Sequence, residues 1–175
     1  DLCKLNGTSV AYEIKTDLDN LTRLEKQLKD YIDIFEKVYV ICSINRLKEI
    51  EDHILPFCGI YFYSISKNGK YKFKLHRKAI KSQCINPEKQ LSILRKAELY
   101  KYFSVCSKAD KNSAISYILH NFSPHQINSI FKKILKLRYQ NQWEFLKNHK
   151  SQILEIDYQW FFQNNINPNI IYSCT

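Results

Sequence analysis

Three side chains near the start of the chain have the types and spacing to hold a metal ion beside a phosphate: Asp1, Glu13 and Lys15. In the run Tyr12-Glu13-Ile14-Lys15 apolar and charged residues alternate, so a strand sets Glu13 and Lys15 on one face. Asp1 can reach that face from a neighbouring strand joined through the turn at Asn6-Gly7. Two carboxylates can bind a hard divalent cation through oxygen, and a lysine beside them can orient a water or offset charge on a phosphate. The polar face of an ordinary sheet has the same pattern, so the triplet alone leaves both readings open.

The elements around these residues follow from periodicity. Residues 8–15 read as a strand. Asp19 or Asn20 is expected to cap a helix whose apolar positions are Leu21, Leu24, Leu28, Tyr31, Ile32 and Phe35, running to about Glu36. Beside that stripe, Arg23, Gln27 and Tyr31 recur four residues apart. A helix packed back on its preceding strand turns Gln27 and Tyr31 toward Glu13 and Lys15; a solvated flank is the alternative. Residues 38–43 form an apolar run expected of a strand buried on both faces. A short helix follows at about 46–53, and then a hairpin, Ile60–Ile65 and Tyr71–Leu75, around Asn68-Gly69. Beyond Asn86-Pro87 the pattern is helical, at about 88–104, 111–121, 124–147 and 150–164.

Taken together, Asp1, Glu13-x-Lys15 and Gln27-x-x-x-Tyr31 resemble the PD-(D/E)xK nuclease superfamily and its RecB-like branch. The run Glu13-Ile14-Lys15-Thr16-Asp17-Leu18-Asp19-Asn20-Leu21-Thr22-Arg23-Leu24 is similar to a small group of bacterial proteins carrying E-I-K-S-D-x-D-T-L-x-R-L. The resemblance covers about residues 8–45 and departs at Thr16 and Asn20. It implies an α/β fold, with a restriction-endonuclease-like mixed sheet core over 1–85 and a helical region over 86–175. It also implies a Mg²⁺- or Mn²⁺-dependent endonuclease hydrolysing phosphodiester bonds of DNA. Asp1 and Glu13 would be the metal ligands, Lys15 would position the water or stabilise charge on the phosphate, and Gln27 and Tyr31 would support the site or contact nucleic acid. The alternatives are a non-catalytic nucleic-acid-binding module and an interaction protein of a toxin or defence system.

Charge is distributed unevenly over the 175 residues, which carry a net +10. Residues 1–57 hold 8 basic and 11 acidic residues, whereas residues 58–150 hold 19 basic and 4 acidic. A basic segment of this kind suits a polyanion. It is densest in an arm holding Lys67, Lys70, Lys72, Lys74, Arg77, Lys78 and Lys81 with no acid. There Lys70, Lys72 and Lys74 alternate with Tyr71, Phe73 and Leu75. The expectation is an apolar face docked on the core and a lysine face free for phosphates; edge protection is the competing role. Arg23 joins the expected nucleic-acid contacts. Lys132, Lys133, Lys136 and Arg138 read as a solvated helix face, and Trp143 and Trp160 as core.

None of the six cysteines has zinc-site spacing, Cys42 and Cys58 read as small core residues, and a reducing cytoplasm is the expected setting. No apolar run reaches the roughly 20 residues of a membrane span. The chain contains no methionine, and Asp1 stands at its very end. A working protein extended before Asp1, or completed by another polypeptide, is therefore expected.

Overall fold

The computed structural model describes residues 2–149. Its architecture is mixed α/β. Five strands form one mixed sheet in the order β1-β2-β3-β4-β5, and seven α-helices lie among the described residues. The chain divides into two compact units, Asp1–Phe131 and Lys132–Thr175.

In the first unit β1 (Leu2–Asn6) runs antiparallel to β2 (Thr8–Lys15) through a turn at Gly7, whose φ of 71° is left-handed and suits a residue without a Cβ. Helix α1 (Leu24–Ile32) connects β2 to the parallel strand β3 (Lys37–Ser43). A short 3₁₀ turn and α2 (Leu47–His53) connect β3 to the parallel strand β4 (Gly59–Ile65). The edge strand β5 (Tyr71–Arg77) returns antiparallel to β4.

Both crossovers step the same way across the sheet. Crossovers of one hand then place their helices on the same face. The core agrees: Ala11, Val38, Val40, Cys42 and Ile60 of the strands cluster with Leu21, Leu24, Leu28 and Ile32 around α1 and with Ile50 and Ile54 around α2. As expected, Cys42 and Cys58 are buried, and burial pushes each thiol up to about 11.

Helix α1 starts later and ends earlier than periodicity suggests. The Asp19 carboxylate accepts from the Thr16 amide at 2.6 Å and its hydroxyl at 2.7 Å, so it closes a turn rather than capping the helix. Asn20 likewise accepts from the Thr22 amide. The expected helix over 88–104 is two, α3 (Pro87–Ile93) and α4 (Lys96–Phe103). Leu94 is extended, and the Glu98 carboxylate accepts from the Arg95 amide at 2.7 Å to start a new helix. Helix α5 (Lys111–Asn121) begins where Asp110 accepts from the amides of Asn112 and Ser113.

Helix α6 (Pro124–Arg138) ends short of the expected 147 because Tyr139 breaks it before α7 (Gln140–Asn148). In the second unit Phe145 and Leu146 are buried, while Trp143 is 66% exposed, which corrects its expected core role. Trp160 and the helix expected over 150–164 lie outside the described residues.

Candidate functional site

The spacing argument for Gln27 and Tyr31 rests on α1 folding back over β2, and it does so. Glu13 and Lys15 sit on the helix-covered face, only 2% and 7% exposed. The Lys15 ammonium lies 2.7 Å from Glu13 Oε1 and donates to Gln27 Oε1 at 3.0 Å. Tyr31 reaches the same carboxylate; burial first, and then the Glu13 charge and hydrogen bond, push its phenol up to about 12. Four of the expected site residues thus form one polar network, with Glu13 and Lys15 buried and Gln27 and Tyr31 half-buried. Asp1 lies outside the described residues.

This network holds its own charge balance. A buried carboxylate is tolerated when a cation and hydrogen bonds replace its hydration, and Lys15 supplies the cation. Glu13 Oε2 is left without a hydrogen-bond partner among the described residues. Among those residues no group of three or more His, Cys, Asp or Glu side chains gathers that could hold a metal ion. Nearby Asp17 is taken up by the Ser43 hydroxyl, and Arg46 donates to the carbonyls of Thr16 and Asp19. The turn after β2 is therefore fastened to the end of β3.

The second constellation is the basic arm. Every residue from Tyr71 to His76 is exposed, so β5 stands clear of the core on both faces. On the helix-side face lie Lys72, Lys74 and His76; His76 meets Glu51 of α2 at 2.7 Å. Lys67, Lys70, Lys72, Lys74 and Lys78 have no acid within ion-pairing distance among the described residues, and neither has Arg23, exposed just before α1. Arg77 is placed differently from the lysines. Its guanidinium donates to the carbonyls of Cys58 and Leu55 and anchors the strand's end. Lys81 pairs with the buried Glu36 at 3.0 Å.

The expected docking of Tyr71, Phe73 and Leu75 on the core is corrected. They lie on the sheet face opposite α1 and α2, with Tyr71 61% and Phe73 59% exposed. On the same face, at paired register positions, stand Tyr12, Tyr39, Tyr61 and Tyr63. Neighbouring rings touch: Tyr12 stacks on Tyr39 at 5.6 Å between centroids, Tyr39 lies 5.1 Å from Tyr61, and Tyr63 contacts Tyr71 and Phe73. The alternation of tyrosines at 61 and 63 and aromatics at 71 and 73 carries this signal in the sequence. Which face the helices leave open depends on the crossovers.

The model of the family described as Bacteriophage P4 protein cII matches residues 1–159. The chain belongs to the P4 cII family. Protein cII of Enterobacteria phage P4 is 34% identical over 99 residues, 57% of this chain. That match spans 37% of the relative's own length. No solved structure matches the chain.

Membership of the cII family overturns the resemblance to PD-(D/E)xK nucleases and to the bacterial group, and with it the expected Mg²⁺-dependent DNA endonuclease. The physical source of the misreading is visible in the network. A buried Glu–Lys pair on a strand, covered by a helix that offers Gln and Tyr at four-residue spacing, satisfies the motif's letters. The same residues pair with one another, Lys15 with Glu13 Oε1 and Gln27 Oε1, while Glu13 Oε2 stays without a hydrogen-bond partner among the described residues. The restriction-endonuclease-like fold reduces to the coarser statement of a mixed α/β chain with a five-stranded sheet. No helix among the described residues is long and apolar enough to cross a membrane.

Proposed function

We propose that this cII-family chain is a non-catalytic nucleic-acid-binding module whose β4–β5 hairpin supplies the phosphate contacts. One observation carries the reading. Lys67, Lys70, Lys72 and Lys74 project from an edge hairpin and its turn with no acid in ion-pairing range among the described residues, in a segment holding 19 basic and 4 acidic residues. Edge protection accounts for charge along the strand, whereas this arm concentrates positive charge at a single protruding element that includes the turn. Phosphate oxygens are the partners that several unpaired ammonium groups on one ribbon can meet together.

The Glu13–Lys15–Gln27–Tyr31 network is the structural element that locks α1 onto β2 and β3 in this reading. The test is fluorescence anisotropy with a labelled duplex and a labelled single strand of equal length. The Lys70→Gln/Lys72→Gln/Lys74→Gln protein should bind both more weakly than wild type while keeping its thermal midpoint. Equal affinity of the triple variant and wild type for both probes would remove the hairpin from the interface.

A further inference from the structure

We infer that the open face of the sheet is a base-stacking surface for single-stranded nucleic acid. The inference rests on the nucleic-acid reading above and deepens it by naming the class of nucleic acid and the surface that receives it. The argument begins with topology. Because α1 and α2 share one face, the other is carried by Tyr12, Tyr39, Tyr61, Tyr63, Tyr71 and Phe73, with Ile14, Ile65 and Leu75 exposed among them. Isolated exposed apolar residues need no explanation, but a contiguous aromatic patch over several strands marks a binding surface.

The composition of the patch selects its occupant. Five of the six rings are half-buried or exposed and offer flat, rigid π-faces, four of them with hydroxyls that tolerate water; Tyr39, 7% exposed, is buried between Tyr12 and Tyr61 and backs the patch. Bases splayed from a single strand stack on such side chains regardless of sequence, whereas the bases of a duplex are already stacked on each other. Gly59 lies within the platform for a steric reason. A Cβ there would run into the Tyr39 ring and the Ala79 amide, so the glycine lets Tyr39 lie across the neighbouring strand.

Charge points the same way. No strand position on this face between residues 2 and 77 is acidic, and Lys4 of β1 and Lys37 of β3 lie on it. Lys67 and Lys70 lie in the turn at the hairpin's tip. A backbone crossing the platform from β1 toward the hairpin would meet ammonium groups at both ends. A second copy of a chain with net charge +10 would bring like charge to the same rim. The lysines of β5 itself point to the opposite side, so platform and lysine row can be altered separately.

The experiment compares labelled oligo(dT), oligo(U) and a duplex of equal length against wild type, Tyr71→Ala/Phe73→Ala, Tyr71→Phe and the lysine triple variant. Both ring substitutions fall at exposed positions, and circular dichroism melts confirm folding. The inference predicts tighter binding of the single strands than of the duplex. The double variant should lose roughly 5- to 150-fold per ring in single-strand affinity, with duplex binding nearly unchanged and Tyr71→Phe close to wild type. Ultraviolet cross-linking to oligo(dT) should map to Tyr63, Tyr71 or Phe73.

Single-strand affinity unchanged in the folded double variant, or cross-links confined to other surfaces, would overturn the stacking surface while leaving a lysine-dependent duplex binder intact. Absence of binding to every probe would overturn both readings. A concentration-dependent dimer in analytical ultracentrifugation, abolished by Tyr71→Ala/Phe73→Ala while single-strand binding persists, would assign the face to a second copy and overturn the inference.

Discussion

Replacing Lys15 with methionine tests whether the Glu–Lys pair serves the fold. Methionine keeps the length of the aliphatic stem and removes the ammonium. Glu13, 2% exposed, would then lose its cation 2.7 Å away, and Gln27 would lose its donor at 3.0 Å. Removing one partner of a buried ion pair costs about 3–5 kcal/mol, because the remaining charge is left uncompensated. With a urea m-value of roughly 2 kcal/mol per molar for a small domain, the midpoint should fall by about 1.5–2.5 M.

The double variant Glu13→Leu/Lys15→Met removes both charges. It should recover most of that loss, since an apolar replacement of a buried pair is often neutral. Tyr31 loses an acceptor in it, which limits the recovery. The assay is urea unfolding followed by far-ultraviolet circular dichroism on the full chain, with nucleic-acid affinity measured alongside. A Lys15→Met protein with an unchanged midpoint and abolished nucleic-acid binding would refute the reasoning and place the network in the functional surface.

Two further outcomes follow from local geometry. Gly59→Ala should destabilise the chain by about 1–3 kcal/mol in urea unfolding, since its Cβ meets the Tyr39 ring and the Ala79 backbone together; an unchanged midpoint would mean Tyr39 moves aside freely. The Ser113 hydroxyl and amide hold the Asp110 carboxyl below its ordinary 3.8, so the stability it adds is present above that value and is lost as pH falls through the depressed one. Thermal midpoints against pH should show Asp110→Ala below wild type at neutral pH and the two curves converging in acid; parallel curves would deny Asp110 its place at the start of α5.

Local signals made several elements legible. Strand β2 and helix α5 occupy the stretches that alternation and the helical pattern indicate, and Asn68-Gly69 marks the β4–β5 hairpin. The convergence of Glu13, Lys15, Gln27 and Tyr31 also followed from spacing once α1 packed on β2. The start of α1 was hidden because Asp19 and Asn20, good caps in isolation, spend their side chains on the turn after β2. The break at Leu94 has no glycine or proline to announce it; it depends on Glu98 bonding back to Arg95.

The chemistry of the Glu–Lys pair was not legible from letters and spacing. Metal ligands and a buried ion pair call for the same residues, and the difference lies in what each oxygen touches. The aromatic face was missed for another reason. Periodicity shows that Tyr71 and Phe73 share a side, but only the two crossovers on the opposite face leave that side open.

The salt dependence of binding tests the proposed nucleic-acid module most directly. Anisotropy titrations of a labelled duplex at several salt concentrations give the slope of log affinity against log salt for wild type and for Lys70→Gln/Lys72→Gln/Lys74→Gln. Each phosphate contact contributes about 0.9 to that slope on duplex DNA. The account predicts a steep wild-type slope that flattens by up to about 2.7 in the variant. Two parallel lines, or no measurable binding at low salt, would contradict it.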